Sequence, residues 1–197
     1  MSVAIIKYNA GNVFSMKCAL RRIGVDATIT DDATTIRNAE KVIFPGVGEA
    51  STAMSYLREH RLDEVIKSLT QPVLGICIGM QLLCNHSEEG DTDCLGIFDT
   101  DVRRFNNTTA PLVKIPHMGW NTIEVTDNAI VDNACNGKYV YFVHSYYAPV
   151  NRHTVAICNY LTDFSAVLNK DNFFATQFHP EKSGAIGEHI LKNFVDL

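Results

Sequence analysis

The stretch Leu74-Gly75-Ile76-Cys77-Ile78-Gly79-Met80-Gln81 carries most of the information about how this chain folds and where its chemistry lies. The apolar run that ends at Cys77 has the composition of a buried strand, and the residues from Gly79 onward have that of an apolar helix. Cys77 is therefore predicted at a strand-to-helix junction, with a glycine two residues before it and another two residues after it. This G-x-C-x-G pattern is the thiol version of the nucleophile elbow, a strained turn that presents a nucleophile at the end of a strand. Its two glycines are expected because a Cβ atom at either position would clash with the neighbouring strand or helix.

The surroundings predicted for Cys77 suit a reactive thiol. The N-terminus of the following helix would stabilise a thiolate through its dipole and its free N–H groups. The N–H of Ile78 would be placed to bind an oxyanion. An isolated G-x-C-x-G is equally compatible with a buried cysteine between two packing glycines, so this pattern alone leaves both interpretations open.

A second segment, Gln177-Phe178-His179-Pro180-Glu181, favours the catalytic interpretation. His179 and Glu181 end a β-type run, and side chains at positions i and i+2 of an extended segment point to the same side. His179 would take the proton of the Cys77 thiol, while Glu181 would orient the imidazole and stabilise its charged form. Taken alone, such a pair is more commonly a surface histidine beside a salt-bridging glutamate. Together with the elbow, it predicts a Cys-His-Glu triad.

The first half of the chain alternates between apolar β-type runs and helical patterns. Strands are predicted at residues 3–6, 25–30, 41–44 and 72–76, and helices at residues 12–23, 49–61 and 79–85. The third strand is expected to stop before Pro45-Gly46. Alternation of this kind implies parallel pairing with right-handed crossovers, and fully apolar strands imply a sheet covered on both faces.

After about Gly90 the pattern changes, and β-type runs predominate until a final helix at residues 184–197. These runs lie at residues 102–105, 121–126, 139–144, 155–159, 166–169 and 173–178. We therefore predict one α/β domain spanning residues 1–197. Its open, mostly parallel sheet would have helices on both faces and antiparallel additions in the second half.

Composition and charge argue against several classes of protein. The chain has 197 residues, and its net charge of −5 argues against a nucleic-acid partner, which usually requires a basic patch. The first residues lack the pattern of a signal peptide, and no run approaches the roughly 18 apolar residues of a membrane helix. We therefore expect a cytoplasmic protein. The six cysteines show no CxxC spacing, so we expect free thiols and neither a metal nor a cofactor.

Taken together, these motifs resemble those of the class I, triad-type glutamine amidotransferases. The elbow and the His-Pro-Glu segment carry this resemblance. Finer motifs resemble the branch of the family that serves histidine biosynthesis, and they run in order along the whole chain: Tyr8-Asn9-Ala10-Gly11-Asn12, Phe44-Pro45-Gly46-Val47-Gly48, Pro116-His117-Met118-Gly119-Trp120-Asn121, Tyr141-Phe142-Val143-His144-Ser145-Tyr146 and Glu181-Lys182-Ser183. The resemblance implies a flavodoxin-like sheet and hydrolysis of glutamine to glutamate and ammonia through a cysteinyl thioester.

The resemblance also implies roles for individual residues. The catalytic triad would be Cys77, His179 and Glu181. The oxyanion hole would use the N–H groups of Val47 and Ile78, after a peptide rearrangement that the glycines beside Val47 make easy. The substrate-binding residues would be Gly48, Gln81, Glu89, Ser145 and Tyr146. The residues at the partner interface would be Asn12, Met118, Trp120 and Lys182. Glu49 departs from the residue that relatives often carry after this loop.

Finally, the resemblance implies a partner. Ammonia would pass to a separate synthase (cyclase) subunit with a (β/α)8 barrel, bound as a heterodimer, and partner binding would switch glutamine hydrolysis on. One competing interpretation is a glutaminase of another pathway, such as pyridoxal phosphate or anthranilate synthesis; Met118-Gly119-Trp120 and the Pro-Gly-Val-Gly loop count against it. Another is a non-catalytic binding module or chaperone on the same sheet, which would lack the His-Pro-Glu segment.

Overall fold

The computed structural model of the protein describes residues 1–9, 13–126 and 128–197. Its helices are α1 (Val13–Arg22), α2 (Ala33–Asn38), α3 (Ala50–Glu59), α4 (Leu62–Lys67), α5 (Ile78–Leu82) and α6 (Gly184–Asp196). Its strands are β1 (Val3–Ile6), β2 (Ala27–Thr30), β3 (Lys41–Gly46), β4 (Val73–Cys77), β5 (His86–Ser87), β6 (Thr92–Asp93), β7 (Asp101–Arg104), β8 (His117–Thr122), β9 (Glu124–Val125), β10 (Tyr139–His144), β11 (Tyr146–Tyr147), β12 (Thr154–Tyr160), β13 (Thr162–Lys170) and β14 (Phe173–Thr176). None of the helices in these ranges has the length and apolar character needed to cross a lipid bilayer.

The central sheet has the strand order β2-β1-β3-β4-β14-β13-β12-β9. The first five strands in this order (β2, β1, β3, β4 and β14) pair in parallel. The last three (β13, β12 and β9) join in antiparallel fashion. This arrangement confirms the predicted open, mostly parallel sheet with antiparallel additions in the second half. It also brings the carboxyl ends of β3, β4 and β14 together at one edge, which we call the carboxyl edge.

Each face of the sheet is covered by a separate hydrophobic core, as the apolar strands predict. On one face, Val3 and Ile5 of β1 pack with residues of α1 and α6 such as Leu20 and Phe194. On the other face, Ala4 and Ile6 pack in a cluster that also holds residues of α2, α3, α4 and α5. Because alternate residues of a strand point to opposite faces, one short strand contributes to both cores.

Two smaller sheets stand beside the central one. Strands β8 and β10 form an antiparallel pair, which we call the ribbon, in which Trp120 lies opposite Tyr141 and His117 opposite His144. Strands β11, β7, β5 and β6 form the other sheet. The carbonyl oxygen of Val143, near the end of β10, lies 3.8 Å from the Cys77 thiol. This end of the ribbon therefore lies beside the carboxyl edge.

The structure corrects several predicted boundaries. Strand β3 continues through Pro45 and Gly46, which pair with Ile76 and Cys77; the proline removes one donor but keeps an extended backbone, so the predicted stop was wrong. The run at 121–126 is divided between β8 and β9, and the helix at 79–85 is shortened to α5. The helix predicted at 49–61 ends at Glu59, and Arg61, at φ 55°, separates it from α4.

Candidate active site

Cys77 occupies a strained position at the carboxyl edge. It is the last residue of β4 and has φ 54° and ψ −108°, a conformation that L-residues rarely adopt. A Cβ atom on Gly79 would overlap the carbonyl oxygen of Phe44, and one on Gly75 would come within 2.7 Å of Leu83. The two glycines are therefore required by packing, as the elbow pattern predicts.

His179 and Glu181 form a buried pair next to this cysteine. The Nδ1 of His179 lies 2.8 Å from Oε1 of Glu181, and their side chains are only 2% and 5% exposed. Because Nδ1–H donates to the carboxylate, Nε2 is the ring nitrogen left for another partner. That nitrogen is buried and has no hydrogen-bond partner within the described part of the chain.

The charge state of His179 depends on both neighbours. Burial lowers the pKa of His179, but the Cys77 sulfur and the Glu181 carboxylate outweigh this effect and raise the pKa to about 10. The Cys77 thiol also lies 3.8 Å from the Val143 carbonyl oxygen, to which it can donate. Catalytic contacts are commonly long in the absence of substrate and tighten in the reacting complex. The three triad residues predicted from sequence are therefore brought to one place, although Nε2 of His179 makes no hydrogen bond within the described residues.

A cavity of about 370 Å³ opens in front of Cys77. Its wall includes the two residues predicted for the oxyanion hole, Val47 and Ile78, and all those predicted to bind substrate: Gly48, Gln81, Glu89, Ser145 and Tyr146. It also includes Pro116, Val143 and His144, which the sequence did not predict to face a ligand. A volume of this size lies in the range of small-molecule binding sites.

The loop between β3 and α3 forms one wall of the cavity. A Cβ atom on Gly46 would overlap the side chains of Ile78 and Tyr8. The Tyr8 hydroxyl donates to the carbonyl oxygen of Pro45 at 2.7 Å, which fixes the start of the loop. Val47 is 38% exposed, and Gly48 has φ 120°, which glycine tolerates.

Glu89 faces the cavity and also holds the start of α3. Its Oε2 accepts a hydrogen bond from the Ala50 N–H at 2.9 Å. Burial raises the pKa of Glu89, and nearby Glu49 adds to the increase, while the bond from Ala50 opposes it. Within the part of the chain that the structure describes, the other oxygen of this carboxylate makes no hydrogen bond or ion pair, so it can meet a cationic group in the cavity.

A pair of buried histidines connects the ribbon to the cavity wall. His144 donates from Nδ1 to the Tyr146 carbonyl oxygen at 2.7 Å, which leaves its Nε2 to accept from Nδ1 of His117 at 3.1 Å. Burial lowers the pKa of His144 to about 3 and that of His117 to about 4. Both rings are therefore neutral near pH 7, and the unprotonated Nε2 of His144 can accept the hydrogen bond from His117.

Three of the four residues predicted for the partner interface, namely Met118, Trp120 and Lys182, lie on the outer face of the ribbon or beside it. Met118 and Trp120 are 63% and 55% exposed. The Tyr141 ring contacts Trp120 edge-on at 5.9 Å, and the ammonium group of Lys182 lies 5.8 Å from the same ring. Asn12 lies outside the described residues.

The remaining cysteines differ from Cys77 in their surroundings. Burial raises the pKa of four other thiols, namely those of Cys84, Cys94, Cys135 and Cys158. Cys18 is exposed. Asp132, Cys135 and His189 lie close enough together to hold a metal ion, but Asp132 already pairs with His189 at 2.8 Å, and none of the three lines the cavity.

Comparison with known proteins identifies the relatives of this chain. A model of the glutamine amidotransferase class-I family matches residues 5–197. The imidazole glycerol phosphate synthase subunit HisH of Bacteroides fragilis is 58% identical over 200 residues, covering 100% of both chains. The HisH protein of Escherichia coli is 46% identical over 199 residues, again covering 100% of both.

Solved structures share the fold at much lower identity. One glutamine amidotransferase has a TM-score of 0.75 at 17% identity, covering 98% of this chain and 97% of its own. A glutamine amidotransferase from Thermotoga maritima has a TM-score of 0.64 at 18% identity, covering 100% of this chain and 83% of its own.

Proposed function

Because this chain belongs to the glutamine amidotransferase class-I family, we propose that it is the glutaminase subunit of an imidazole glycerol phosphate synthase. Acting as a single domain over residues 1–197, it hydrolyses glutamine to glutamate and ammonia. The ammonia passes to a separate synthase subunit in histidine biosynthesis. The observation that carries this proposal is the strained Cys77 at the cavity floor with the buried His179–Glu181 pair beside it.

The triad divides the chemistry among its three members. The Cys77 thiol proton passes to Nε2 of His179, whose raised pKa favours the imidazolium, and the resulting thiolate attacks the side-chain amide carbon of glutamine. His179 then gives this proton to the amide nitrogen, the C–N bond breaks and ammonia leaves. Water hydrolyses the resulting glutamyl thioester and regenerates the thiol. Glu181 holds the imidazole by its Nδ1–H and stabilises the imidazolium formed between the two proton transfers.

The oxyanion of the tetrahedral intermediate is bound by the N–H groups of Val47 and Ile78. Ile78 is suited to this role because it directly follows Cys77 at the start of α5. Losing one such donor costs roughly 3–4 kcal/mol in comparable sites. Turning the Val47 N–H toward or away from the cavity would therefore switch the activity, and Gly46 and Gly48 on either side permit that rotation.

Glutamine is held by the cavity wall. Glu89 pairs with its α-amino group through the carboxylate oxygen that does not bind Ala50. Gly48, Gln81, Ser145 and Tyr146 supply the remaining contacts, which is supported by their position around Cys77. The volume of the cavity matches a substrate of this size.

The synthase partner is a (β/α)8 barrel that docks against the ribbon. Exposed large apolar side chains such as Met118 and Trp120 are typical of protein interfaces, and tryptophan is enriched among residues that dominate binding energy. Lys182 and Asn12 are assigned to the same interface. Docking activates hydrolysis, which prevents waste of glutamine by the free chain. Equal rates of glutamine hydrolysis by the free chain and by the complex would contradict this activation.

A glutamine analogue that alkylates cysteine tests the assignment directly. We expect one adduct, at Cys77, together with complete loss of glutamine hydrolysis; glutamine itself should protect. The Cys77→Ala variant should take up no analogue, and Cys18→Ser should behave as wild type. Absence of an adduct at Cys77 would support a non-catalytic binding module instead.

A further inference from the structure

Two buried side-chain amides form a hydrogen-bonded chain that ends on the Cys77 sulfur. Gln81 donates from Nε2 to the Tyr146 carbonyl oxygen at 2.9 Å and to Oε1 of Gln177 at 3.0 Å. Gln177 in turn places its own Nε2 at 3.8 Å from Sγ of Cys77, a distance at which N–H donates to sulfur. Gln177 is fully buried and Gln81 is 3% exposed, so water does not compete for these groups.

The direction of this chain is fixed at its far end. The Tyr146 carbonyl can only accept a hydrogen bond, so Gln81 must turn its NH₂ group toward it. The second hydrogen of that NH₂ group then faces Gln177, which must present its oxygen. A reversed Gln177 would set two NH₂ groups against each other. The amide of Gln177 therefore turns a donor, and not an acceptor, toward the sulfur of Cys77.

The backbone places Gln177 beside Cys77 for a simple reason. Strands β14 and β4 pair in parallel with Thr176 opposite Ile76, so the next positions in register are 177 and 77. Gln177 lies two residues before His179, at the spacing that directs side chains of an extended segment to one side. The sulfur is thus approached by an amide donor and by an imidazole from the same short segment.

We propose that Gln177 stabilises the Cys77 thiolate through an N–H···S hydrogen bond, and that Gln81 is a positioning residue that fixes the direction of this bond. The inference rests on the proposed function in taking Cys77 as the nucleophile. As the thiol proton moves to Nε2 of His179, the negative charge left on sulfur meets the Gln177 N–H. Hydrogen bonds to a charged acceptor are shorter and stronger than neutral ones, so this donor favours the ionised form.

The proposal changes the role expected of Gln81. Both N–H bonds of its amide are used within the protein, on Tyr146 and Gln177. Only its Oε1 can meet a ligand in the cavity. Gln81 therefore contributes to substrate binding as an acceptor, while its nitrogen serves the nucleophile.

The test is the pH dependence of Cys77 alkylation by iodoacetamide, measured on the full chain carrying Cys18→Ser. Iodoacetamide does not need the glutamine site, so the thiol can be followed even if glutamine is not the substrate. In Gln177→Met, which keeps the volume but removes the N–H, we expect the midpoint pH to rise by about one unit, with alkylation at pH 7 about tenfold slower. Thr176→Val is the matched control: the Thr176 hydroxyl is equally buried but binds the Phe178 carbonyl at 3.0 Å, so the midpoint should stay unchanged.

Two further variants keep the test decisive. Gln81→Met leaves Gln177 in place but frees its amide to turn, so a smaller upward shift of the midpoint is expected. Gln177→Glu can still accept from Gln81 but sets a carboxylate beside the sulfur, so its midpoint should rise above that of Gln177→Met. An unchanged midpoint in a folded Gln177→Met or Gln177→Glu protein would overturn the proposal, and so would an equal shift in Thr176→Val.

Discussion

At the carboxyl edge of the central sheet the side chains are buried among fixed neighbours, whereas on the ribbon of β8 and β10 large apolar side chains face outward. The glycines around Cys77 leave no room for a Cβ atom, and the Glu181 side chain is only 5% exposed. On the ribbon, Trp120 is 55% exposed, and a Cβ atom on Gly119 would meet nothing within 4 Å.

Under the proposed function, this difference separates two tasks of the molecule. Chemistry requires groups held in one geometry before the substrate arrives, which dense packing provides. Docking requires apolar surface that stays uncovered until a partner arrives. The two regions meet at the Tyr146 carbonyl and at His144, so a change on the ribbon has a short physical route to the cavity wall.

The largest effect is expected from Glu181→Gln at the carboxyl edge. The amide can donate to Nδ1 of His179, which would favour the wrong tautomer, so kcat for glutamine should fall by about 10³–10⁴-fold. The Asp132–His189 pair has the same N···O distance of 2.8 Å but lies away from the cavity. Asp132→Asn should therefore leave kcat close to wild type; comparable losses in both variants would show that the effect is not specific to the triad.

The next effect compares two glycines, one in each region. Gly79→Ala forces a Cβ atom into the Phe44 carbonyl, and we expect it to lower the free energy of unfolding by about 3 kcal/mol or more. Gly119→Ala has space but an unfavourable φ of 135°, so its cost should be about 1 kcal/mol. Urea unfolding of both variants measures the difference, and equal losses would show that the elbow is not the more tightly packed region.

The buried histidine pair that connects the two regions predicts that the stability of the protein depends on pH. His144 has a pKa of about 3 in the folded protein, below its usual 6.5, so the unfolded chain takes up this proton first as pH falls. The contribution of neutral His144 to the free energy of unfolding is fully present above about pH 6.5 and is lost as the pH falls toward 3. Between pH 7 and pH 4.5 this should cost about 2–3 kcal/mol of unfolding free energy.

The His144→Gln variant isolates that contribution. Urea unfolding at pH 7 and pH 4.5 should show a smaller loss of unfolding free energy in this variant than in wild type. The exposed His60 provides the control, and His60→Gln should lose as much unfolding free energy between these pH values as wild type does. An identical pH dependence in His144→Gln would mean that the histidine pair does not make the structure acid-sensitive.

The smallest effect on the chain itself is expected from the ribbon surface. Trp120→Ala should change the free energy of unfolding of the free chain by less than about 0.5 kcal/mol, because the side chain is already exposed. Binding of this variant to the synthase subunit should be weaker by about 2 kcal/mol of binding free energy, measured by calorimetric titration. Val150 is a similarly exposed apolar residue outside the ribbon, so Val150→Ala should leave the affinity unchanged.

The sequence predicted the parts of this molecule that depend on local pattern. Strands β1 and β10 match their predicted bounds, and the glycines of the elbow are required for the predicted reason. The family assigned from the motifs is confirmed by the match over residues 5–197. These successes share a cause, since periodicity and glycine requirements are properties of neighbouring residues.

The parts that escaped prediction depend on contacts between distant residues. Helix α2 has only six residues, and its local sequence signal is Asp32, an N-cap residue whose carboxylate accepts a hydrogen bond from the Thr35 N–H. Gln177 was part of a recognised motif, but its bond to Cys77 follows from the register of β14 with β4. His144 reaches the cavity wall because of its pairing with His117 across the ribbon.

The Tyr146 carbonyl has a consequence for how this family can diverge. It accepts hydrogen bonds from His144 and from Gln81, yet it is a main-chain atom that every amino acid carries. Replacement of the tyrosine would leave both bonds in place, whereas inserting or deleting one residue between positions 141 and 146 would displace the oxygen and disconnect both. Among homologues, we expect the side chain at position 146 to vary more than the number of residues between positions 141 and 146.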